Sequence, residues 1–466
     1  MQPEAAFSLR TAVPKPHYAE HIGLARLTKA FEAGHDLRPL WRRLIARLLD
    51  GSIEAGEGLD LALIAQLLGD KEAGLAILRT ILASHQLFRS PCAARPPRLR
   101  VLALAAATDI GSNTPIEFLL EDSGIELTTL YVMPDVDWPN WLPDHDVAIV
   151  IASDSDDCRA VLEKIGRAAP NWPRPLLNPP QLVGHLDRDK LHGLLGGIDG
   201  LEIPQTTCVT RAQLLQLSQS ALALSDVASD LAFPVIVRPR GSHAGKGLAK
   251  LGDIGAIEHY LDEHAQDLFF VSRFVDYRSD DGLFRKYRIV LIDGQPYACH
   301  LAIADRWDIW YLNAGMAQSA SKRLEEQTFM QAFDSGFAQR HRAALSGLSR
   351  RIGLDYFTVD CAETGDGSLL IFEADNTAIV HDMDPPDVFP YKVPQMRKVF
   401  DAFAAMLHRR AGRSHEAPDA PTRRRRNHAA GGTIANGRAQ YRRSEVPALQ
   451  AAARLQDFRS KAVLGL

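Results

Sequence analysis

The chain has 466 residues, enough at roughly 100–200 per domain for two to four domains with real cores. Lys and Arg number 53 against 57 Asp and Glu, so the net charge of −4 gives no global case for a nucleic-acid partner. Hydrophobic residues at 46 % are ordinary for a globular protein, no apolar run reaches the ~18 residues of a membrane span, and MQPEAAFSLR carries no signal pattern.

Five scattered cysteines without a CxxC exclude a disulfide scaffold and fit a reducing cytoplasm. Residues 1–97 read as a helical domain. Apolar positions recur near i, i+3, i+4 and i+7 in 18–33, 37–49, 59–68 and 72–87, with glycine-bearing breaks between them. Two stacked hairpins of tetratricopeptide-like form are expected. They would serve as a packing layer or a surface for a homo-oligomer. Residues 98–185 read as a small α/β domain. Leu99–Ala105, Ile125–Val132 and Val147–Ile151 are runs suited to buried parallel strands, alternating with helices at 113–121 and 157–168. No GxGxxG follows the first strand, so the dinucleotide fingerprint is absent.

Residues 186–410 carry most of the chemistry. Strands are expected at 233–238, 248–251, 268–274, 284–292, 297–302, 355–362 and 368–374, and helices at 187–195, 211–219, 255–264, 324–350 and 393–408. Asp293-Gly294 reads as a hairpin turn, and the whole as α+β with antiparallel sheets. Residues 411–466 form a basic, mostly disordered tail with Arg423 to Arg426 as its charge run. The expected fold class is therefore α/β and α+β.

Two features stand out. Arg238-Pro239-Arg240-Gly241-Ser242-His243-Ala244-Gly245-Lys246-Gly247 follows an apolar strand. Glycines let backbone N–H groups turn toward an anion and the cations neutralise it, which describes a phosphate cradle or, alternatively, a glycine hairpin with solvated charges. Its spacing is not that of a Walker loop. Asp360 and Glu373 each end a β-rich run, and a hairpin through Gly365-Asp366-Gly367 would bring them side by side. Hard oxygen ligands so placed suit Mg²⁺ or Mn²⁺. Asp154, Asp156 and Asp157 read as a helix start. Trp138, Trp141 and Trp172 read as packing for a loop.

The order of Asp189-Lys190-Leu191, the glycine loop, Ser272 to Val275, Arg288, Asp360 and Glu373 resembles the ATP-grasp superfamily over about residues 99–409. The resemblance implies an ATP-grasp fold with a small doubly wound pre-domain and ATP held between two later lobes. Lys190 and Arg238 match phosphate contacts, with Arg238 standing where lysine is usual. Ser242, His243, Gly245 and Lys246 match the loop over the phosphates. Ser272, Arg273, Phe274 and Val275 match the hinge that holds adenine, and Asp276 a ribose contact. Arg288 matches an arginine near the acyl phosphate. Asp360 and Glu373, with Asp375 or Asn376, match the metal ligands. His300 and Arg306 are candidates for the substrate site. The implied reaction is ATP-dependent joining of a carboxylate substrate to an amine acceptor, a metabolite, peptide or protein. A binding module or a kinase on the same fold are the alternatives.

Overall fold

The computed structural model describes residues 18–139, 141–242 and 245–412. The tail expectation and His243 lie outside these residues.

Four helices come first: α1 (Leu24–Glu32), α2 (Arg38–Leu49), α3 (Ala55–Leu67) and α4 (Lys71–Leu82). They bury Leu27, Leu44, Ile45, Leu61, Ile64, Ile77 and Leu82 in a core of their own. The helix expected to run to Leu87 stops at Leu82, because Leu87 to Arg89 is a strand.

That strand belongs to a six-stranded sheet. Its members are β1 (Ala19–Glu20), β2 (Leu87–Arg89), β3 (Leu99–Ala106), β4 (Ile125–Val132), β5 (Val147–Val150) and β6 (Leu176–Leu177), in the order β1-β2-β4-β3-β5-β6. All pairs are parallel except β2 with β4. Seven of the eight positions of β3 are buried, as a strand covered on both faces requires. Helices α5 (Ile116–Leu119), α6 (Arg159–Ala168), α7 (Pro180–Val183) and α8 (Arg188–Leu195) accompany this sheet or leave it.

After β7 (Leu201–Glu202), a second sheet contains β8 (Thr207–Thr210), β9 (Val235–Pro239), β10 (Ala249–Leu251) and β11 (Leu268–Arg273). It is antiparallel throughout, in the order β10-β9-β11-β8. Helices α9 (Arg211–Ser218), α10 (Leu224–Val227) and α11 (Gly255–Glu263) supply the rest of its separate core.

The third sheet has β12 (Phe284–Ile292), β13 (Gln295–Ala304), β14 (Tyr356–Glu363) and β15 (Leu369–Asp375), ordered β13-β12-β14-β15-β7. Asp293 and Gly294 both have positive φ, at 50° and 80°, which is the backbone of a two-residue hairpin whose twist matches its strands. Helices α12 (Ala320–Gln331), α13 (Phe337–Arg340), α14 (Arg342–Ile352) and α15 (Lys392–Arg410) surround this sheet. The single helix expected over 324–350 is broken at 332–336. The Phe333 and Phe337 rings stack there, 5.8 Å apart, and Ser335-Gly336 carries weak helix propensity. The α/β and α+β reading is thus met by one mostly parallel sheet, one antiparallel sheet and a third that is antiparallel except where β7 pairs in parallel with β15. Among the described residues no helix is long and apolar enough to cross a membrane.

Candidate active site

The strand register of the third sheet sets four polar side chains in one row. His300 on β13 pairs with Arg288 on β12, Arg288 with Asp360 on β14, and Asp360 with Glu373 on β15. Direct neighbours in an antiparallel sheet share a face with Cβ atoms about 5 Å apart, so the row is contiguous. Register shifts beside Arg288 and beside Asp360 end the regular ladder at this point. The hairpin through Gly365-Asp366-Gly367 does bring the two acids together.

Asp360 is 2 % exposed. Arg288 grips it in a fork, Nε to Oδ1 at 2.7 Å and Nη2 to Oδ2 at 3.0 Å, and Lys286 Nζ stands 2.8 Å from Oδ2. Burial alone would raise the Asp360 pKa, but the two cations hold it well below the usual carboxylate range. Burial opposes the Arg288 charge as well, and Asp360 outweighs it. The trio of Arg288, Lys286 and Asp360 carries a net positive charge.

Arg188 opens α8 and points back over the same face. It pairs with Glu373 Oε2 and donates to the Phe372 carbonyl at 3.3 Å. Burial lowers its pKa, opposed by Asp375, Asp154, Asp360 and Asp187 in that order. Arg238 faces it from β9 in the second sheet. Burial, with the charge of Arg188 added, pulls Arg238 down to about 9. Its side chain donates to Ser242 Oγ at 3.2 Å and to the Ser242 carbonyl. Two guanidiniums brought together across a lobe boundary, one of them bonded among the described residues only to neutral oxygens, form a place for an anion.

The glycine loop begins beside Arg238. Gly241, Gly245 and Gly247 all have positive φ, and a Cβ at Gly247 would lie 2.7 Å from Pro239 Cδ. Tyr260 donates to the Gly247 carbonyl at 2.8 Å and fastens the loop's far end. Lys246 is exposed in this loop.

The segment expected as the hinge, Ser272 to Val275, lies beyond the first residue of β8. The last partner of β8 on β11 is Val271, so among the described residues Ser272 and Arg273 pair with β9 alone and their other backbone edge has no strand beside it. The Phe274 ring lies under Lys250 Nζ at 3.6 Å and edge-on to Trp307 at 5.8 Å. Val275 follows, half-buried. The Arg273 side chain does different work: it pairs with Glu202 on β7 at 2.6 Å and Asp230 at 3.3 Å, tying the third sheet to the second.

Four expected residues are not drawn into the row. Lys190 is exposed and donates to the Gly184 carbonyl at 2.9 Å, because the turn of α8 directs Arg188 inward instead. Asp276 pairs with Arg278 at 3.0 Å within its own turn. Arg306 is tied to Asp308 in the loop after β13. Asn376 is fully buried, and its amide donates to the Ala152 carbonyl at 2.9 Å, joining β15 to the first sheet.

Sequence reasoning missed Arg188, though it adjoins Asp189-Lys190, and Lys286, one turn of alternation from Arg288. It also passed over Asp154. Burial and the charges of Asp375 and Asp187 push that carboxyl up to about 7, which sets it apart from Asp156, the ion-pair partner of Arg159 and Arg240. Beyond Arg288 lies a second polar group. The His300 ring is 4.6 Å from Tyr311, and Tyr311 and Lys392 share the buried Glu326. His381 accepts from Met383 N at Nδ1, which leaves Nε2 as a donor in the neutral ring. Burial lowers the pKa of both histidines, with Arg288 and Lys392 adding to it.

The acids do not fit the pair of metal ions that the resemblance implies. Both Asp360 oxygens are taken by cations, Glu373 Oε2 by Arg188, and Asp375 Oδ1 by Thr377 N and Oγ1. Among the described residues no three His, Cys, Asp or Glu side chains converge on a common point.

No protein-family model and no curated protein matches the chain. Several solved structures are similar to it. An ATP-grasp RimK-domain protein from Sphaerobacter thermophilus is 17 % identical, with 66 % of this chain and 99 % of that one covered, at a TM-score of 0.40. D-alanine–D-alanine ligase from Bacillus anthracis, complexed with ATP, is 14 % identical, with 67 % and 99 % covered, at 0.40. The ATP-grasp ligase PsnB, complexed with a precursor peptide and AMPPNP, is 13 % identical, with 66 % and 97 % covered, at 0.36. Likeness at this level carries no argument about activity, and the site geometry stands by itself.

Proposed function

We propose that the chain is an ATP-dependent ligase that joins a carboxylate to an amine through an acyl phosphate. The observation that supports this best is the row of Arg288, Asp360 and Glu373 faced by Arg188 and Arg238 across the lobe boundary. An anion entering there meets guanidiniums from two sheets and a helix, which is what a polyphosphate needs.

In this reading adenine lies against the free edge of Ser272 to Val275, near Phe274. Arg238 and the loop residues Ser242, Gly245 and Lys246 cover the phosphates. The γ-phosphoryl group passes to a substrate carboxylate beside Arg288, giving ADP and an acyl phosphate. An amine then attacks the acyl carbon, and phosphate leaves with the formation of an amide. Arg288 offsets the charge that builds on the transferring group and on the tetrahedral oxygen. His300, the strand neighbour of Arg288, and His381 line the way in for the acceptor. No protein nucleophile is required.

Hydroxylamine tests the reading, since it captures acyl phosphates as hydroxamates. Incubation with ATP, divalent cation, hydroxylamine and a panel of amino acids and small peptides is expected to yield hydroxamate and ADP together. ADP with a stable phosphorylated product would instead indicate a kinase. A nucleotide-binding module is a second reading, favoured by the full occupation of Asp360 by Arg288 and Lys286. Saturable ATP binding with no ADP across the panel would establish it.

A further inference from the structure

We propose that Arg188 is a fixed counter-ion built into the nucleotide site, so that the site takes its nucleotide with one divalent cation at most. This rests on the reading of the cleft as a nucleotide site.

Glu373 and Asp375 alternate on one face of β15, and Asp360 sits beside Glu373 on β14. Any pair of divalent ions bridging these acids needs the space between them. The Arg188 guanidinium holds Glu373 Oε2 there, and its charge is shared with Asp375, Asp154 and Asp360. Its side chain is 24 % exposed, and its other amino group is occupied by the Phe372 carbonyl. A guanidinium is planar and keeps its charge at any physiological pH, so it neutralises carboxylates permanently. Asp360 is equally committed, with two cations on two oxygens. Arg188, Arg288 and Lys286, with Arg238 opposite them on the second sheet, together supply four positive charges to the cleft. The charge that a second divalent ion would bring is already present in the chain. Mg²⁺ keeps several of its own waters and is commonly held through nucleotide phosphates, so one ion can enter with ATP without displacing Arg188.

The test counts metal ions. The full chain is dialysed to equilibrium against Mn²⁺ and AMPPNP, and the excess of Mn²⁺ and the excess of nucleotide on the protein side are both measured. One Mn²⁺ or fewer per nucleotide is expected for the wild type. Arg188→Ala, which vacates the space among the acids, is expected to take up a second, and Arg188→Lys to remain at one. Two Mn²⁺ per nucleotide in the wild type would overturn the inference and leave the nucleotide-site reading standing. An Arg188→Ala count that stays at one would overturn it as well. A wild type that binds no nucleotide at any Mn²⁺ concentration would overturn both.

Discussion

Arg288 is the residue on which the most geometry converges. Its fork on Asp360 uses two parallel hydrogen bonds, and its strand neighbours place Lys286 on the same carboxylate. Arg288→Lys keeps the charge and loses the fork. ADP release is expected to fall about 10²–10³-fold, as when one preorganised donor to a developing charge is removed. The far-ultraviolet circular dichroism should be unchanged. A rate within threefold of wild type would move the transfer step away from this row. Arg238 and Lys190 make a second contrast. Arg238→Ala should weaken AMPPNP binding by calorimetry at least tenfold, because it removes a guanidinium at the cleft whose hydrogen bonds, among the described residues, go to the neutral oxygens of Ser242. Lys190→Ala should change it less than threefold, since Lys190 faces solvent. The reverse ranking would restore Lys190 as the phosphate contact. The pairing of Asp360 with Glu373 was legible because strand ends and a glycine hairpin are local signals. Arg188 was not, because its role depends on the face α8 turns toward β15, which tertiary packing decides.

Elements repeat this division between local and long-range causes. β12, expected over 284–292, runs over Phe284–Ile292, since Phe284, Tyr287, Ile289, Val290 and Ile292 are aromatic or β-branched and favour strand around the three cations. β7 went unread: Leu201–Glu202 is a strand only through its pairing with Leu369 and Leu370 of β15. The split between α12 and α14 likewise hangs on contacts far apart in sequence. At that split Glu363, the last residue of β14, takes a hydrogen bond from Arg340 Nη2 at 2.9 Å and stands 2.7 Å from His341 Nε2. Burial would raise the Glu363 pKa, but His341 and Arg340 bring it down to about 2 from an ordinary 4.5. The folded state thus holds fewer protons than the unfolded one between those values. The stabilisation is complete above about 4.5 and is lost as the pH falls toward 2. Glu363→Gln should cost about 1–3 kcal/mol at neutral pH and flatten the acid limb of a urea-stability profile. An unchanged acid limb would mean that α13 and α14 are not fastened to β14 through this carboxylate.

On the scale of the whole molecule, charged straps join parts with separate cores. Arg273 links the second and third sheets, and Arg240 reaches Asp156 and Asp187 next to the first. Lys29 of α1 pairs with Glu121 and Asp382, the latter one residue from His381. The helical layer therefore touches the segment that carries His381. The sequence suggested a boundary at residue 97, but the first sheet runs across it through β1 and β2. Asp60 of α3 accepts from Ile22 N at 2.8 Å and Glu117 of α5 from Ala25 N at 2.9 Å, so both sides of that boundary hold the chain where it enters α1. Gly56 marks the tightest contact in this seam. A Cβ there would lie 1.8 Å from the Glu20 carbonyl oxygen, a backbone atom of β1 that has no rotamer by which to yield. Gly56→Ala must therefore separate α3 from β1, at a cost of about 3 kcal/mol or more. Gly193→Ala is the matched control, because its Cβ in α8 would meet open space, and a gain of about 0.4–1 kcal/mol is expected. Urea unfolding of both variants checks the pair. If Gly56→Ala were as stable as Gly193→Ala, β1 would not be held against α3, and the helical layer would be a separable domain after all.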